Sequence, residues 1–321
     1  MQNKYVFLNR VCVPLTIECD LNCRYCYRNR GRIARVPEFN DLMRDYLAQL
    51  DPTRVQAVVA SGGEPLLHFE KVLELFSYAP KEIHTRCMTN GLNLTKEMVN
   101  YFNDRNTEVF LSHDGDWTEY LRGVDILKDA KQLKIIREIK NLTIGCVCTN
   151  KNPDPYKNYL QTKKVLQRDF VLQPNAVFED DLFPLLTENF DYEAYACGYL
   201  HCLIDNILHQ VKIKKTTKKK HPTPLRCNVL PNGDVVGMAE INHKYGTVLD
   251  SFETLFKRKT ELGDVHYCND LRCEAKCVCG NPHLERITEH SCHVIKCEGI
   301  AREISKTIPI MPSTSTEGRN A

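Results

Sequence analysis

Six times in succession the sequence passes from a short apolar run to a segment with helical spacing, and this alternation narrows the possible folds more than any other feature. Val13-Pro14-Leu15-Thr16-Ile17 predicts a buried strand, and Phe39 to Leu50, with Leu42, Tyr46, Leu47 and Leu50 at helical spacing, predicts a helix. The pairing recurs as Val55–Ala60 with Glu70–Phe76, Glu82–Met88 with Lys96–Phe102, and Glu108–Ser112 with Tyr120–Lys128. Leu142–Thr149 with Tyr156–Leu166, and Phe170–Val177 with Tyr192–Val211, complete the six. Parallel strands need a covering crossover, so the series predicts an α/β fold built on a parallel sheet or an open, partial barrel. Functional residues are then expected at the carboxyl ends of the strands.

The alternation stops near residue 212. Residues 212–222 form a basic, proline-ended stretch, after which the chain is rich in cysteines and turn residues. The expected organisation is a core domain over 1–211, a linker over 212–222, a small cysteine-stapled domain over 223–300, where metal ligation replaces an apolar core, and a polar tail over 301–321. The lysines of the linker read as a solvated loop, with an acidic leader peptide or RNA as the sharper alternative. Lys and Arg number 43 against 41 Asp and Glu, so overall charge gives no reason to expect a polyanion partner.

No apolar run approaches the ~20 residues that cross a bilayer. The opening Met1-Gln2-Asn3-Lys4-Tyr5 contains nothing like a signal-peptide core, so the expectation is a cytoplasmic protein without membrane contact. Sixteen cysteines in such a compartment point to metal or iron–sulfur ligation rather than disulfides.

The most specific motif is Cys19-Asp20-Leu21-Asn22-Cys23-Arg24-Tyr25-Cys26, a C-x3-C-x2-C run directly after the first predicted strand. Three thiolates on one loop suit three irons of a 4Fe–4S cube and leave the fourth iron for an exogenous ligand, whereas an electron-transfer cluster is closed by four cysteines. Ser61-Gly62-Gly63-Glu64-Pro65 ends the second strand, and its glycines would let backbone approach a ligand closely. Thr89-Asn90-Gly91 ends the third strand, Ser112-His113-Asp114-Gly115 the fourth, with Leu121-Arg122-Gly123 on the next helix, and Asn150 follows the fifth.

This ordered set resembles the radical S-adenosylmethionine (radical SAM) superfamily. The resemblance implies a partial (β/α)6 barrel in which Cys19, Cys23 and Cys26 ligate a 4Fe–4S cluster and Tyr25 is the aromatic residue before the last cysteine. It also implies S-adenosyl-L-methionine chelated to the open iron and cleaved reductively to a 5′-deoxyadenosyl radical. Gly62, Gly63, Glu64 and Pro65 match the family's glycine-rich cofactor loop. Ser112 and Arg122 match the pair that holds the methionine carboxylate in the peptide-modifying branch, Asn90 follows in the expected order as a cofactor-binding candidate, and Asn150 stands where that branch often has a polar residue. A strand-end turn or a helix cap is the plainer reading of each polar position.

The second constellation is Cys227, Cys268, Cys273, Cys277, Cys279, Cys292 and Cys297. It is similar to the SPASM/Twitch extension, which carries auxiliary iron–sulfur clusters. Cys227 and Gly233 fit its opening element, but Met238 stands where a second cysteine belongs, and the later run is C-x4-C-x3-C-x-C rather than C-x2-C-x5-C-x3-C. One auxiliary cluster is expected, a second is left open, and a zinc site is the alternative.

Cys146 and Cys148 share one side of the fifth strand, where they are either small apolar fillers or hydrogen-atom donors at the barrel mouth. Cys197 and Cys202 are similar fillers or extra cluster ligands, and His113 and Asp114 are candidates for proton handling beside the cofactor. The expected activity is hydrogen abstraction from a peptide or protein substrate in the maturation of a ribosomally made peptide, with side-chain crosslinking preferred because net oxidation gives an auxiliary cluster a role. Epimerisation or dehydrogenation of a peptide, a small-molecule or RNA substrate, and a non-catalytic iron–sulfur or zinc protein are the alternatives. Expected partners are a precursor peptide, an external electron donor of the flavodoxin or ferredoxin type, and a separate leader-peptide-recognition protein.

Overall fold

The structure is a computed structural model and describes residues 4–6, 8, 10–26, 36–176, 184–191, 194–195, 197–199, 201–202, 205, 227–237 and 243–262, with 266–267 and 278–279 described in backbone only. Six strands, β1 (Arg10–Pro14), β2 (Ala57–Ser61), β3 (His84–Thr89), β4 (Glu108–Ser112), β5 (Leu142–Cys148) and β6 (Val171–Ala176), pair in parallel in sequence order. Between them run α1 (Asp41–Ala48), α2 (Phe69–Tyr78), α3 (Lys96–Asp104), α4 (Thr118–Arg122), α5 (Ala130–Arg137) and α6 (Pro155–Leu166). The sheet of the expected α/β fold is therefore present, and among the described residues β1 and β6 do not pair, so the barrel is partial.

Local chemistry starts these helices where the sheet needs them. Asn40 accepts the Met43 N–H at the start of α1, Thr95 accepts Met98 N–H at α3, and Asp154 accepts Tyr156 and Lys157 N–H at α6, where Pro155 occupies the first helical position.

The two faces of the sheet differ. Val11, Val13, Val58, Ala60, Cys87, Val109, Leu111, Ile144 and Leu172 belong to one apolar core with helix residues such as Met43, Leu75, Phe102 and Ile136. The opposite face carries His84, Arg86, Glu108, Phe110 and Gln173. Arg86 Nη1 on β3 donates to Gln173 on β6 at 3.3 Å. Strands ~4.8 Å apart would set those positions about 14 Å apart in a flat sheet, so the sheet curls with this face inward. Low on the concave side, Glu108 accepts Arg86 Nε at 2.9 Å and pairs with His84 Nε2 at 2.7 Å.

Several boundaries differ from expectation. The first strand lies at Arg10–Pro14 rather than 13–17, because Leu15 to Glu18 leave the sheet to bond the loop after β2. The expected helix Tyr120–Lys128 is divided: α4 stops at Gly123, whose φ of 88° is left-handed, a short 3-10 turn spans Ile126–Lys128, and α5 follows. Of the expected helix 192–211, residues 194–195, 197–199, 201–202 and 205 are described and helical.

Past residue 226, β7 (Asn228–Val229), β8 (Asp234–Val236) and β9 (Lys244–Thr247) form an antiparallel sheet, followed by a helix over Phe252–Glu261. Val229, Val235, Tyr245, Val248 and Leu255 join the core that includes Val11 and Tyr46. Val6 N–H donates to Val248 O, and Asn40 N–H to Pro231 O. His266–Tyr267 and Val278–Cys279 pair antiparallel. The linker 212–222, the tail 301–321, Met238, and Cys268, Cys273, Cys277, Cys292 and Cys297 lie outside the described residues. Among the described residues no helix is long and apolar enough to cross a membrane.

Candidate active site

Cys19, Cys23 and Cys26 occupy the loop that leaves β1, and all three are free thiols. Cys26 N–H donates to Cys23 O at 3.0 Å and Arg24 N–H to Leu121 O at 2.8 Å, which fastens the loop to the end of α4. Arg24 adds a bond from Nε to Tyr120 O, and its guanidinium lies 4.3 Å from the centre of the Tyr120 ring. Asp20 accepts from Asn90 Nδ2 at 2.6 Å and from Asn93 Nδ2, which ties the loop to the end of β3. Burial pushes the Cys23 thiol up to about 11, opposed by the positive charge of Arg122. Among the described residues no group of three or more His, Cys, Asp or Glu side chains is gathered closely enough to hold a single metal ion. A cluster that gives each thiolate its own iron does not require such convergence.

The glycines after β2 lie against the backbone of the cysteine loop. A Cβ on Gly62, whose φ is +134°, would lie 2.6 Å from Thr16 O, and one on Gly63 would lie 1.9 Å from Glu18 O. The space a Cβ would take at these glycines is filled by the backbone of the cysteine loop. Two bonds use that proximity, Gly63 N–H to Thr16 O and Glu64 N–H to Glu18 O, both 2.7 Å. Pro65 starts the following 3-10 turn. The buried Glu64 carboxyl accepts Leu66 N–H, the Thr89 hydroxyl and Asn90 N–H. Burial pushes it up to about 6 against those three donors. Glu64 thus joins β2 to β3, taking Leu66 N–H and the Thr89 hydroxyl on Oε1 and Asn90 N–H on Oε2.

At the end of β4 the fully buried Asp114 accepts from three elements. Tyr25 Oη donates at 2.6 Å from the cysteine loop, Arg122 Nε at 2.7 Å and Nη2 at 3.3 Å from α4, and Val147 N–H at 2.7 Å from β5. Arg122 also stands over the Tyr25 ring at 5.3 Å. Its Nε and Nη2 edge is occupied, and among the described residues Nη1 has no hydrogen-bond partner, so a guanidinium only 7% exposed keeps a free edge. The Ser112 hydroxyl is likewise without a hydrogen-bond partner among the described residues. His113 is turned into the helix layer, where its ring nitrogens meet Thr162 Oγ1 and Asp125 Oδ1, each at 3.1 Å. Those contacts give it a structural part and correct its placement beside the cofactor.

Two further expectations change. Strand alternation does put Cys146 and Cys148 on one side of β5, but it is the helix side: both are fully buried in the main core and Asn158 of α6 donates to Cys146 Sγ at 3.2 Å. Val147, between them, faces inward and packs with Tyr25, Leu121 and Leu186. A hydrogen donor at the barrel mouth is therefore not supplied by either thiol. Asn150 grips the one-turn helix Pro184–Thr187, donating from its backbone to Leu186 O and from Nδ2 to Leu185 O and Glu188 O. Cys202 is buried in the same core as Cys146, Cys197 is exposed, and Cys227 is buried among residues of the β1 edge. Sequence reasoning did not single out Asp20, Asn93, Thr89 or Leu186, whose parts depend on loop-to-loop contacts that no spacing announces. Nor did it single out Cys12, whose Sγ lies 3.4 Å from Ser61 Oγ on the concave face.

Residues 13–151 match the family model of the radical SAM superfamily. This stretch is a radical SAM domain. It runs from β1 through β5 and so contains the cysteine loop, the Gly-Gly-Glu-Pro loop, Asp114 and Arg122. No curated protein matches the sequence. Among solved structures the chain is similar to native anSMEcpe with bound AdoMet and Kp18Cys peptide, with 16% identity and a TM-score of 0.64 over 93% of this chain and 99% of that one. It is also similar to Streptococcus suis SuiB bound to precursor peptide SuiA, with 17% identity and a TM-score of 0.52 over 71% of this chain and 59% of that one. At these identities the likeness is one of fold, and for the first it extends well beyond the radical SAM domain.

Proposed function

We propose that the chain is a radical SAM enzyme that modifies a peptide or protein side chain. The observation that carries this reading is the joining of three free thiols, the Gly-Gly-Glu-Pro loop and the Arg122 fork at the carboxyl end of one curved parallel sheet. The donor set fits a site-differentiated cluster, since Cys19, Cys23 and Cys26 supply three thiolates and the free edge of Arg122 with the Ser112 hydroxyl suits a carboxylate. When bound, a 4Fe–4S cluster and S-adenosylmethionine would supply reductive cleavage to a 5′-deoxyadenosyl radical and hydrogen abstraction from the substrate.

The residues of this chain do the holding. Arg122 orients an anionic ligand, Glu64 and Asp20 lock the loops that flank it, and Val147, Leu121, Leu186 and Tyr25 make an apolar wall that excludes water. A peptide substrate is supported by analogy with the anSMEcpe and SuiB complexes, and fold analogy alone carries it. Crosslinking remains the preferred reaction, with Cys227 and the later cysteines holding one auxiliary cluster, a second left open, that accepts the electron of a net oxidation. A flavodoxin- or ferredoxin-type donor, a leader-peptide-recognition protein and a cytoplasmic setting complete the reading. The inward-facing positions of β5 are Thr143, Gly145 and Val147, which disfavours epimerisation through Cys146 or Cys148.

The test is anaerobic reconstitution with iron and sulfide, then incubation with S-adenosylmethionine, a reductant and peptides encoded beside the gene. Formation of 5′-deoxyadenosine together with a peptide product lighter by two mass units per crosslink, seen by mass spectrometry, is expected. Iron-loaded protein that forms no 5′-deoxyadenosine would overturn the proposal.

A further inference from the structure

The Asp114 carboxylate hydrogen-bonds the cysteine loop, α4 and β5 at once. It is fully buried and accepts four bonds: the Tyr25 phenol, two from Arg122 and the Val147 N–H. Removing a partner from a buried charged network leaves the others unsatisfied, so the energies of these groups are expected to be coupled. We propose that Asp114 is a positioning residue that couples S-adenosylmethionine binding to placement of the cluster loop. This rests on the radical SAM reading and extends it.

The geometry gives each contact a separate part. Side-on pairing of Nε and Nη2 with Asp114 leaves the Nη1 edge of Arg122 as the available one, which fixes the direction from which an anion is met. The same carboxylate holds the Tyr25 phenol, and Tyr25 immediately precedes Cys26, so the orientation of that anion-binding edge and the position of the third thiolate share an anchor. Tyr25 in turn packs against Leu186, and the Asn150 grip on the neighbouring carbonyls passes this placement to the turn beyond β6. Asp114 itself touches no reacting atom, and its effect runs through Arg122 and Tyr25.

A double-mutant cycle on the full-length, iron-reconstituted enzyme tests this, using Tyr25→Phe and Arg122→Lys singly and together. Two quantities are read: the equilibrium affinity for S-adenosylmethionine and the change it causes in the electron paramagnetic resonance spectrum of the reduced cluster. Coupling through Asp114 predicts that the double variant binds about fivefold or more tighter than the product of the single losses implies. Asp114→Asn should retain its iron, weaken binding about tenfold or more, and make a further Tyr25→Phe change nearly silent. Multiplicative single losses overturn the proposal, and this arm decides even if Asp114→Asn does not fold. An Asp114→Asn enzyme with lowered stability but wild-type affinity and spectral change also overturns it, since that is the mark of a merely structural group. A wild-type holoenzyme that binds no S-adenosylmethionine would overturn the radical SAM reading and the coupling together, whereas normal binding with independent residues would overturn the coupling alone.

Discussion

Gly63 shows how a single atom can decide whether two loops meet. Its N–H donates to Thr16 O, and the direction a Cβ would take ends 1.9 Å from Glu18 O. Gly63→Ala therefore has to push the cysteine loop away, at a cost on the order of 3 kcal/mol. Iron content and S-adenosylmethionine binding should fall in parallel, as measured by iron and sulfide analysis beside equilibrium binding. Retained iron with selective loss of the cofactor would show that the glycine serves the ligand instead. Cys146 and Cys148 give the opposite kind of expectation. Because both point into the helix layer, Cys146→Ala and Cys148→Ala should lower the melting temperature while leaving 5′-deoxyadenosine formation and product stereochemistry as in the wild type.

Strands β3 and β4 close the lower part of the concave face with a charged network rather than with apolar side chains. Burial raises the Glu108 carboxyl, but the His84 bond and the Arg86 charge outweigh it and hold the group at about 2. A carboxyl held below its unfolded value of 4.5 adds stability that is complete above about pH 4.5 and is lost as pH falls from there through about 2. The difference corresponds to about 3 kcal/mol at neutral pH, and Glu108 is nearly buried, so little of it is screened away. Glu108→Gln should lower stability at pH 7 and flatten its acid dependence between pH 5 and 2, read by denaturant unfolding across that range. An unchanged acid limb would mean that the network contributes nothing to folding.

At the scale of the whole chain, the described strands and helix after residue 226 pack against β1 and α1. Gly233 sits against Leu42 of α1, and Leu255, with no exposure, shares a core with Tyr46 and Val11. Leu255→Ala should cost about 2–5 kcal/mol and lower one cooperative melting transition of the entire chain. Two separate transitions, only one of them shifted, would show that the pieces fold independently. The metal content divides differently. Replacing Cys19, Cys23 and Cys26 together with Ala should abolish 5′-deoxyadenosine formation yet leave about four irons per chain if the later cysteines hold an auxiliary cluster. About one zinc and no sulfide would instead make them a structural clamp. The six-fold strand–helix order, the parallel sheet, the loop bearing Cys19, Cys23 and Cys26, the placement of Gly62, Gly63 and Asp114 at strand ends and that of Arg122 on the helix after the fourth strand were all legible in the sequence. Periodicity and cysteine spacing are local quantities, and those features are local. It took the folded structure to show which side of β5 faces inward, that the two glycines pack against the cysteine-loop backbone, and that Asp114, Tyr25 and Arg122 are one unit. Those outcomes depend on which way the sheet curls and on contacts between residues 25, 114, 122 and 147, whose separation in sequence is bridged only when parallel strands bring their carboxyl ends to one edge.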